Sequence, residues 1–471
     1  MRVSMVYPGI GGKGFDSIGQ GMDSGWISHG VAILAACARR AGHDVDLIDL
    51  RSLKSWDDFH AQIMRRWPQV FAISMMSVDY NPAVRCLEII RKTNPKAITM
   101  VGGAHPTIML DELIDNPNID YIFLGEGEET FPQALDALER GEELPRVIPG
   151  THPDLDSLPC PDHSLFIDEW IRQGYQVTSP EAPFVAELPP PFVTVIAGRG
   201  CMYNCSYCQP AERSIFGRKV RRRSVANIMG ELRLLRDQFN FASLMFHDDC
   251  LTEDREWVIE FCKAYMAEGF KQPFFCQSRA DIIVKNEDMV ALMAKAGLRG
   301  YFIGFESGSD RVLRFIRKGT KRWQNIKAAQ ICRKYHIAIW ANYMMGLPTE
   351  TKEEVLETVS MLKKIDPDYY SPAFYTPHPG SDLYTYCIEN DLSLIKSHDS
   401  YRRNPNEAKI KGVDYAWLSE AVQESMRRTW YNKLRRELIY LWRRYAHPRK
   451  AVLKLRQVVV RHGTQPSRLP R

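Results

Sequence analysis

The sequence has no long apolar run. Nothing in its 471 residues approaches the ~20 consecutive apolar positions that a membrane-spanning helix needs, and VAILAACA at 31–38 is typical of its longest stretches. The opening MRVSMVYP lacks the basic segment, apolar stretch and small-residue cleavage site of a secretory signal, so a buried strand and a cytoplasmic protein are expected. Eleven cysteines, an odd number scattered through the chain, argue against a disulfide framework and leave any cluster of them for metal or redox chemistry. Low-complexity tracts and repeats of solenoid period are also missing. What is present is ordinary for globular proteins: 45% hydrophobic and 25% charged residues, in a length that suits two or three domains. The charge is uneven. Residues 425–471 carry 14 Lys and Arg against Glu437 alone, so within a total of +5 the remainder is net acidic. An acidic enzyme with a basic tail fits this better than a uniformly basic nucleic-acid binder.

Residues 1–140 alternate short apolar runs (RVSMVYP, DVDLIDL, QVFAISMMS, AITMVGG, DYIFLGEGEE) with amphipathic stretches. Five strands alternating with helices predict a Rossmann-like, doubly wound parallel sheet of the α/β class. Its ligand would sit at the carboxyl ends of the strands, which carry YPGIGGKG, SMMSVD, VGGAHPT and LGEGEE. Residues 141–192 turn proline-rich and read as a connector. Over 193–380 six further strand-and-helix units predict a partial (β/α) barrel, since eight units need ~250 residues. Residues 381–471 read as a helical C-terminal region. Within it Trp430, Leu434, Leu438, Leu441, Trp442 and Tyr445 follow helical spacing beside repeated arginine pairs.

The strongest chemical signal is CxxxCxxC, formed by Cys201, Cys205 and Cys208 directly after the first strand of the second unit. Three thiolates within eight residues can converge on one iron–sulfur cluster and leave one iron open to another ligand. A structural zinc site wants four ligands, in two pairs, and there is no second CxxC. Cys250, Cys262 or Cys276 could supply a fourth ligand, though each stands alone among apolar or helical residues.

The spacing, its place at the first barrel strand and the aromatic Tyr207 before the last cysteine resemble the radical S-adenosylmethionine superfamily. The resemblance implies that the three cysteines hold a [4Fe–4S] cluster whose fourth iron is chelated by S-adenosylmethionine. Reductive cleavage would then give a 5′-deoxyadenosyl radical. By strand order it also implies Asp248 and Asp249 near the methionine amino group, and a polar pair Gln277 and Arg279 after the third strand. Glu306 would meet the ribose and Lys318 the carboxylate. Helix caps or surface pairs are the plainer roles for such residues.

The first domain resembles the cobalamin-binding domain fused to many of these enzymes, on Ser74, Gly102, Gly103, Gly125, Glu126, Gly127 and Glu128 at its strand tips. The DxHxxG loop that supplies an axial histidine in classical cobalamin domains is absent; His29, His43, His60 and His105 lie in other contexts. That implies a corrinoid bound without a histidine ligand, or a domain that kept the fold and lost the cofactor. His105 would approach the corrin or substrate, or serve as a turn residue bonded to backbone. Tyr375 and His378 at the last strand would face the substrate in a barrel like the family's, or belong to the core, as aromatics near a strand more often do.

The family implies cobalamin-dependent methyl transfer to an unactivated carbon of a small molecule or lipid. Its other members point to radical dehydration or to anaerobic cyclisation of magnesium-protoporphyrin. A redox sensor is the rival of another class. A one-electron donor such as flavodoxin or ferredoxin is the implied partner. The basic tail can dock on the barrel or lie on an anionic membrane surface; no nucleic-acid-binding module is visible.

Overall fold

Two parallel six-stranded sheets follow one another in the computed structural model. It describes residues 1–428 except 21–24, 178, 180, 182–183, 209–210, 218 and 403–406, together with Leu434 and Leu438. The first sheet consists of β1 (Arg2–Tyr7), β2 (Asp44–Asp49), β3 (Val70–Ser74), β4 (Ile98–Gly102), β5 (Tyr121–Leu124) and β6 (Val147–Pro149). Its order is β2-β1-β3-β4-β5-β6, parallel throughout. The order reverses between β1 and β3, which opens a crevice at their carboxyl ends. Strands buried on both faces need helices on both faces. Val31, Ala35 and Phe166 pack on one side, and Phe59, Leu87 and Ile90 on the other.

The segment 141–192 does more than connect. It contributes β6, paired to β5, and the helix Ser164–Arg172, whose Trp170 indole donates to Asp49 at 2.8 Å. A three-residue strand is too short to show alternation, and the prolines around it conceal the helix.

The second sheet is built from β7 (Phe192–Val195), β10 (Ser243–Phe246), β11 (Phe274–Ser278), β12 (Leu298–Glu306), β13 (Ala338–Met345) and β14 (Tyr369–Phe374). A small antiparallel ladder of β8 (Gly198–Arg199) and β9 (Arg221–Arg222) lies between the first two in sequence. The order β14-β13-β12-β11-β10-β7 follows the chain, and β7 and β14 do not meet, so the sheet is a partial barrel. Alternation along the strands separates two apolar layers. Val258, Phe261, Val290 and Leu362 of the outer helices belong to the layer on one face, whereas Met245, Phe275 and Phe302 line the concave face with Trp340 and Tyr369. Trp26 and Phe184 complete this inner plug from outside the barrel sequence. Each buried large side chain is worth roughly 1.5–3 kcal/mol. These side chains fill the concave face below the strand tips.

Helix Tyr415–Met426 packs on helix Lys352–Ile365, and the Tyr343 hydroxyl meets Ser425 Oγ at 2.6 Å. The start of the C-terminal region therefore docks on the barrel. The basic segment over Trp430–Tyr445 lies, apart from Leu434 and Leu438, outside the described residues.

Candidate cofactor site between the two sheets

Gly200, at φ +85°, turns the chain from β8 into the cysteine loop, in a conformation that favours glycine. The loop is pinned on two sides. Ser206 N donates to Ile316 O at 3.0 Å and Leu383 N to Ser206 O at 2.8 Å. Cys205 is buried, and Cys201 and Cys208 are half-buried. The Arg279 guanidinium stacks 3.5 Å from the centre of the Tyr203 ring, with Nη1 3.9 Å from Cys205 Sγ and Nη2 donating to the Lys318 carbonyl at 2.6 Å. A hydrogen bond with the Cys208 thiol, then the charges of Lys318 and Arg279, hold the Cys205 thiol down at about 6 against burial. Burial pushes the Cys201 thiol up to about 11, and a hydrogen bond with Cys205, then burial, push the Cys208 thiol up, so the cations favour thiolate at Cys205. Three sulfurs on one anchored loop suit an iron–sulfur cluster. The alternative fourth ligands do not join them. Cys250, Cys262 and Cys276 are buried in the core of the barrel.

Beside the loop, Lys318 Nζ donates to Glu306 Oε1 at 2.9 Å and to the Tyr207 hydroxyl at 3.1 Å, while that hydroxyl donates to the same Glu306 oxygen at 2.9 Å. Glu306 has φ +61° at a break in the β12–β13 register, a strained position for a residue with a side chain. A Cβ on Gly304 would lie 2.3 Å from Glu306 Oε1 and 2.7 Å from Lys318 Nζ, so this glycine makes the buried pair possible. Tyr207, Arg279, Glu306 and Lys318 thus form one connected group around the cysteines.

Asp248 does not join that group. Its carboxylate accepts from the backbone N–H of Ala197 at 2.9 Å, lies 3.4 Å from Arg222, and is raised to about 6 by burial. It shapes the turn out of β7. Asp249 borders the cavity described next, and Gln277 is half-buried on β11. Tyr375 is buried with Leu313, Leu383 and Cys387, so it is a core residue and does not face a substrate.

A cavity of about 470 Å³ joins the two sheets. Ser74, Gly102, Gly103, Gly125 and Gly127 line it from the first sheet; Ile196, Gly198, Arg199, His247 and Asp249 line it from the barrel. Gly103 takes φ +109°, and a Cβ there would be 2.9 Å from the Met75 carbonyl. An edge of bare backbone flanked by Met100, Phe123 and Phe131 suits a broad, largely apolar macrocycle. Glu126 and Glu128 also border this cavity, but their charges are spent between domains. Glu126 pairs with Arg199 and Arg221, and Glu128 meets Arg199 at 2.6 Å.

Two further cavity residues, His29 and His247, stand outside the sequence-derived site. His29 Nε2 is 2.7 Å from Thr194 Oγ1, which donates to the buried Glu181. Burial keeps both imidazoles neutral, with His247 lowered to about 4. Alternation along SLMFH places His247 on the same face as Met245, a signal the sequence does contain.

Three thiolates at the mouth of a partial barrel, facing a doubly wound sheet across a glycine-edged cavity, define a cluster-dependent enzyme of two cofactor domains. Residues 22–135 match the B12 binding domain and residues 195–362 match the radical SAM superfamily, so the chain belongs to the radical SAM enzymes that carry a B12-binding domain. It is 28% identical over 414 residues to an uncharacterized methyltransferase of Pyrococcus horikoshii, covering 84% of this chain and 86% of the relative. It is 27% identical to the anaerobic magnesium-protoporphyrin IX monomethyl ester cyclase of Rubrivivax gelatinosus, over 92% of this chain and 78% of that one. In fold it resembles the radical S-adenosylmethionine methyltransferase TsrM of Kitasatospora setae, at 14% identity and TM-score 0.68, covering 97% and 99% of the two chains. Membership brings a [4Fe–4S] cluster, S-adenosylmethionine and cobalamin, and the donor set and glycine edge fit them. No helix among the described residues is long and apolar enough to cross a membrane.

Proposed function

We propose that this enzyme transfers a methyl group, by way of cobalamin, to an unactivated carbon of a small-molecule or lipid substrate. The observation that carries this reading is the cavity shared by the glycine edge of the first sheet and the mouth of the barrel, which would let two cofactors meet over one substrate. When bound, the cofactors supply a one-electron cleavage that makes a carbon radical and a methyl group to quench it. An unactivated C–H bond has no acidity that a protein base could use.

The chain's own residues position and shield. Cys201, Cys205 and Cys208 hold iron, and Arg279 sits beside the Cys205 sulfur and covers Tyr203. In this reading Glu306 and Lys318 exchange part of their mutual bond for the ribose and carboxylate of S-adenosylmethionine, with Tyr207 bracing them. Asp249 and Gln277 complete that pocket, while Asp248 holds its wall. Ser74, Gly102, Gly103, Gly125 and Gly127 let the corrinoid lie against backbone, and Glu126 and Glu128 lock the barrel over it. The plug of Phe302 and Trp340 keeps water from the radical. A flavodoxin or ferredoxin is the one-electron donor, and the enzyme works in the cytoplasm.

The test is anaerobic turnover with S-adenosylmethionine, cobalamin, a strong reductant and candidate substrates. 5′-Deoxyadenosine and S-adenosylhomocysteine formed together, with product heavier by one methylene, would support methyl transfer. 5′-Deoxyadenosine without S-adenosylhomocysteine would refute it and favour cyclisation, the chemistry of the relative matched over 92% of this chain.

A further inference from the structure

A second cluster of ligating side chains lies away from the cysteines, where the C-terminal segment crosses the first domain. His105 follows β4, Glu112 lies in the short turn Leu110–Glu112, and His398 lies in the turn His398–Tyr401, almost 300 residues further on. One donor atom from each falls within 4.8 Å of the others. His398 Nε2 is 2.7 Å from Glu112 Oε2, and His105 Nε2 is 3.5 Å from the same oxygen. Tetrahedral coordination with bonds near 2.0 Å puts donors roughly 3.3 Å apart. The two separations bracket that value.

We propose that His105, Glu112 and His398 form a Zn²⁺-type metal site that fastens the C-terminal segment to the first domain.

The His105 ring gives the independent observation. It is fully buried, its Nδ1 is 3.1 Å from Ser77 Oγ, and its buried Nε2 has no hydrogen bond, yet faces Glu112. An unbonded buried nitrogen costs free energy unless something takes its lone pair. Holding one ring nitrogen with a hydroxyl while the other faces a cluster of donors is how metal-binding histidines are oriented. Burial keeps this imidazole neutral, the form that ligates. Tyr80 fixes the other ring: it stacks on His398 at 4.0 Å and 18° and meets His105 edge-on at 5.0 Å. Two imidazoles and one carboxylate select a borderline ion such as Zn²⁺ over Mg²⁺ or Ca²⁺, which take oxygen donors. Water would fill the fourth position.

The placement gives the site a task. The segment around His398 leaves the barrel after β14 and also bonds the first domain through Asn81 and Asp399 at 2.9 Å. A metal there would hold the two domains closed around the shared cavity.

The experiment uses full-length protein with its cluster assembled, purified without oxygen. Zinc is counted beside iron and cobalt, Zn²⁺ affinity is measured by chelator competition, and the zinc X-ray absorption edge identifies the ligands. About one zinc per chain in a shell of nitrogen and oxygen near 2.0 Å is expected. His398→Ala and Glu112→Gln, both at partly exposed positions, should lose it while iron stays constant. Ser77→Ala should weaken it about 10–100-fold, as loss of an orienting partner does. Zn²⁺ affinity equal in wild type and both ligand variants would overturn the proposal. So would sulfur at about 2.3 Å, which would place the zinc on the cysteine loop.

Discussion

Replacing Lys318 with methionine tests the buried group beside the cluster loop. Methionine fills much of the same volume but leaves Glu306, whose side chain is 9% exposed, with the Tyr207 hydroxyl as its remaining charge-stabilising contact. Removing one partner of a buried ion pair costs about 3–5 kcal/mol, because the remaining charge keeps its desolvation penalty. At about 2–4 °C per kcal/mol for a domain of this size, the barrel should melt roughly 6–20 °C lower. Adding Glu306→Gln removes the stranded charge yet keeps an acceptor for Tyr207, so the double variant should recover most of the loss. Scanning calorimetry of protein free of S-adenosylmethionine measures all of this. A single variant melting within a degree or two of wild type, or a double variant that simply sums the two losses, would refute the argument.

Other expectations follow from the same geometry. Cys205→Ser should reduce iron on the anaerobically prepared protein from about four per chain towards none, read by elemental analysis. Arg279→Met removes a positive charge 3.9 Å from the Cys205 sulfur, so the cluster potential should fall by on the order of 50 mV in a redox titration monitored by electron paramagnetic resonance. Arg199→Ala leaves Glu128 without its ion pair and Glu126 with Arg221 in place of two arginines, at a cost of about 3 kcal/mol, and limited proteolysis should cut 141–192 faster. For His247, lowered from 6.5 to about 4, the unfolded chain takes up a proton first as pH falls. Its contribution is complete above about pH 6.5 and is lost towards pH 4, as much as about 3 kcal/mol, and His247→Gln should flatten that slope of stability against pH.

What was legible in the sequence was what is local. Three cysteines within eight residues need no long-range contact to be recognised, and six apolar runs between 193 and 380 map one for one onto β7 and β10 to β14. The glycines at strand tips are visible in the sequence too, but tight turns use the same residues, and it takes the fold to show that Gly102, Gly103, Gly125 and Gly127 line one cavity. The short strand β6 and the helix Ser164–Arg172 were not, since neither has a period long enough to stand out from the prolines around it.

The acidic residues among those glycines show where local reading ends. In LGEGEE the glycines and the carboxylates share one strand tip, so sequence assigns them one role; all four border the cavity, and the fold adds partners for the carboxylates. Gly125 and Gly127 leave room in the cavity, whereas Glu126 and Glu128 pair with Arg199 and Arg221, which flank the cysteine loop in sequence. Those charges cannot be assigned until it is known that β8 and β9 lie opposite the end of β5. The same holds for Asp248, whose neighbour Asp249 reaches the cavity while Asp248 itself turns back to the Ala197 backbone. Strand-end position tells which residues are near a site, and only the partners across the fold decide which of them face a ligand and which hold the walls apart.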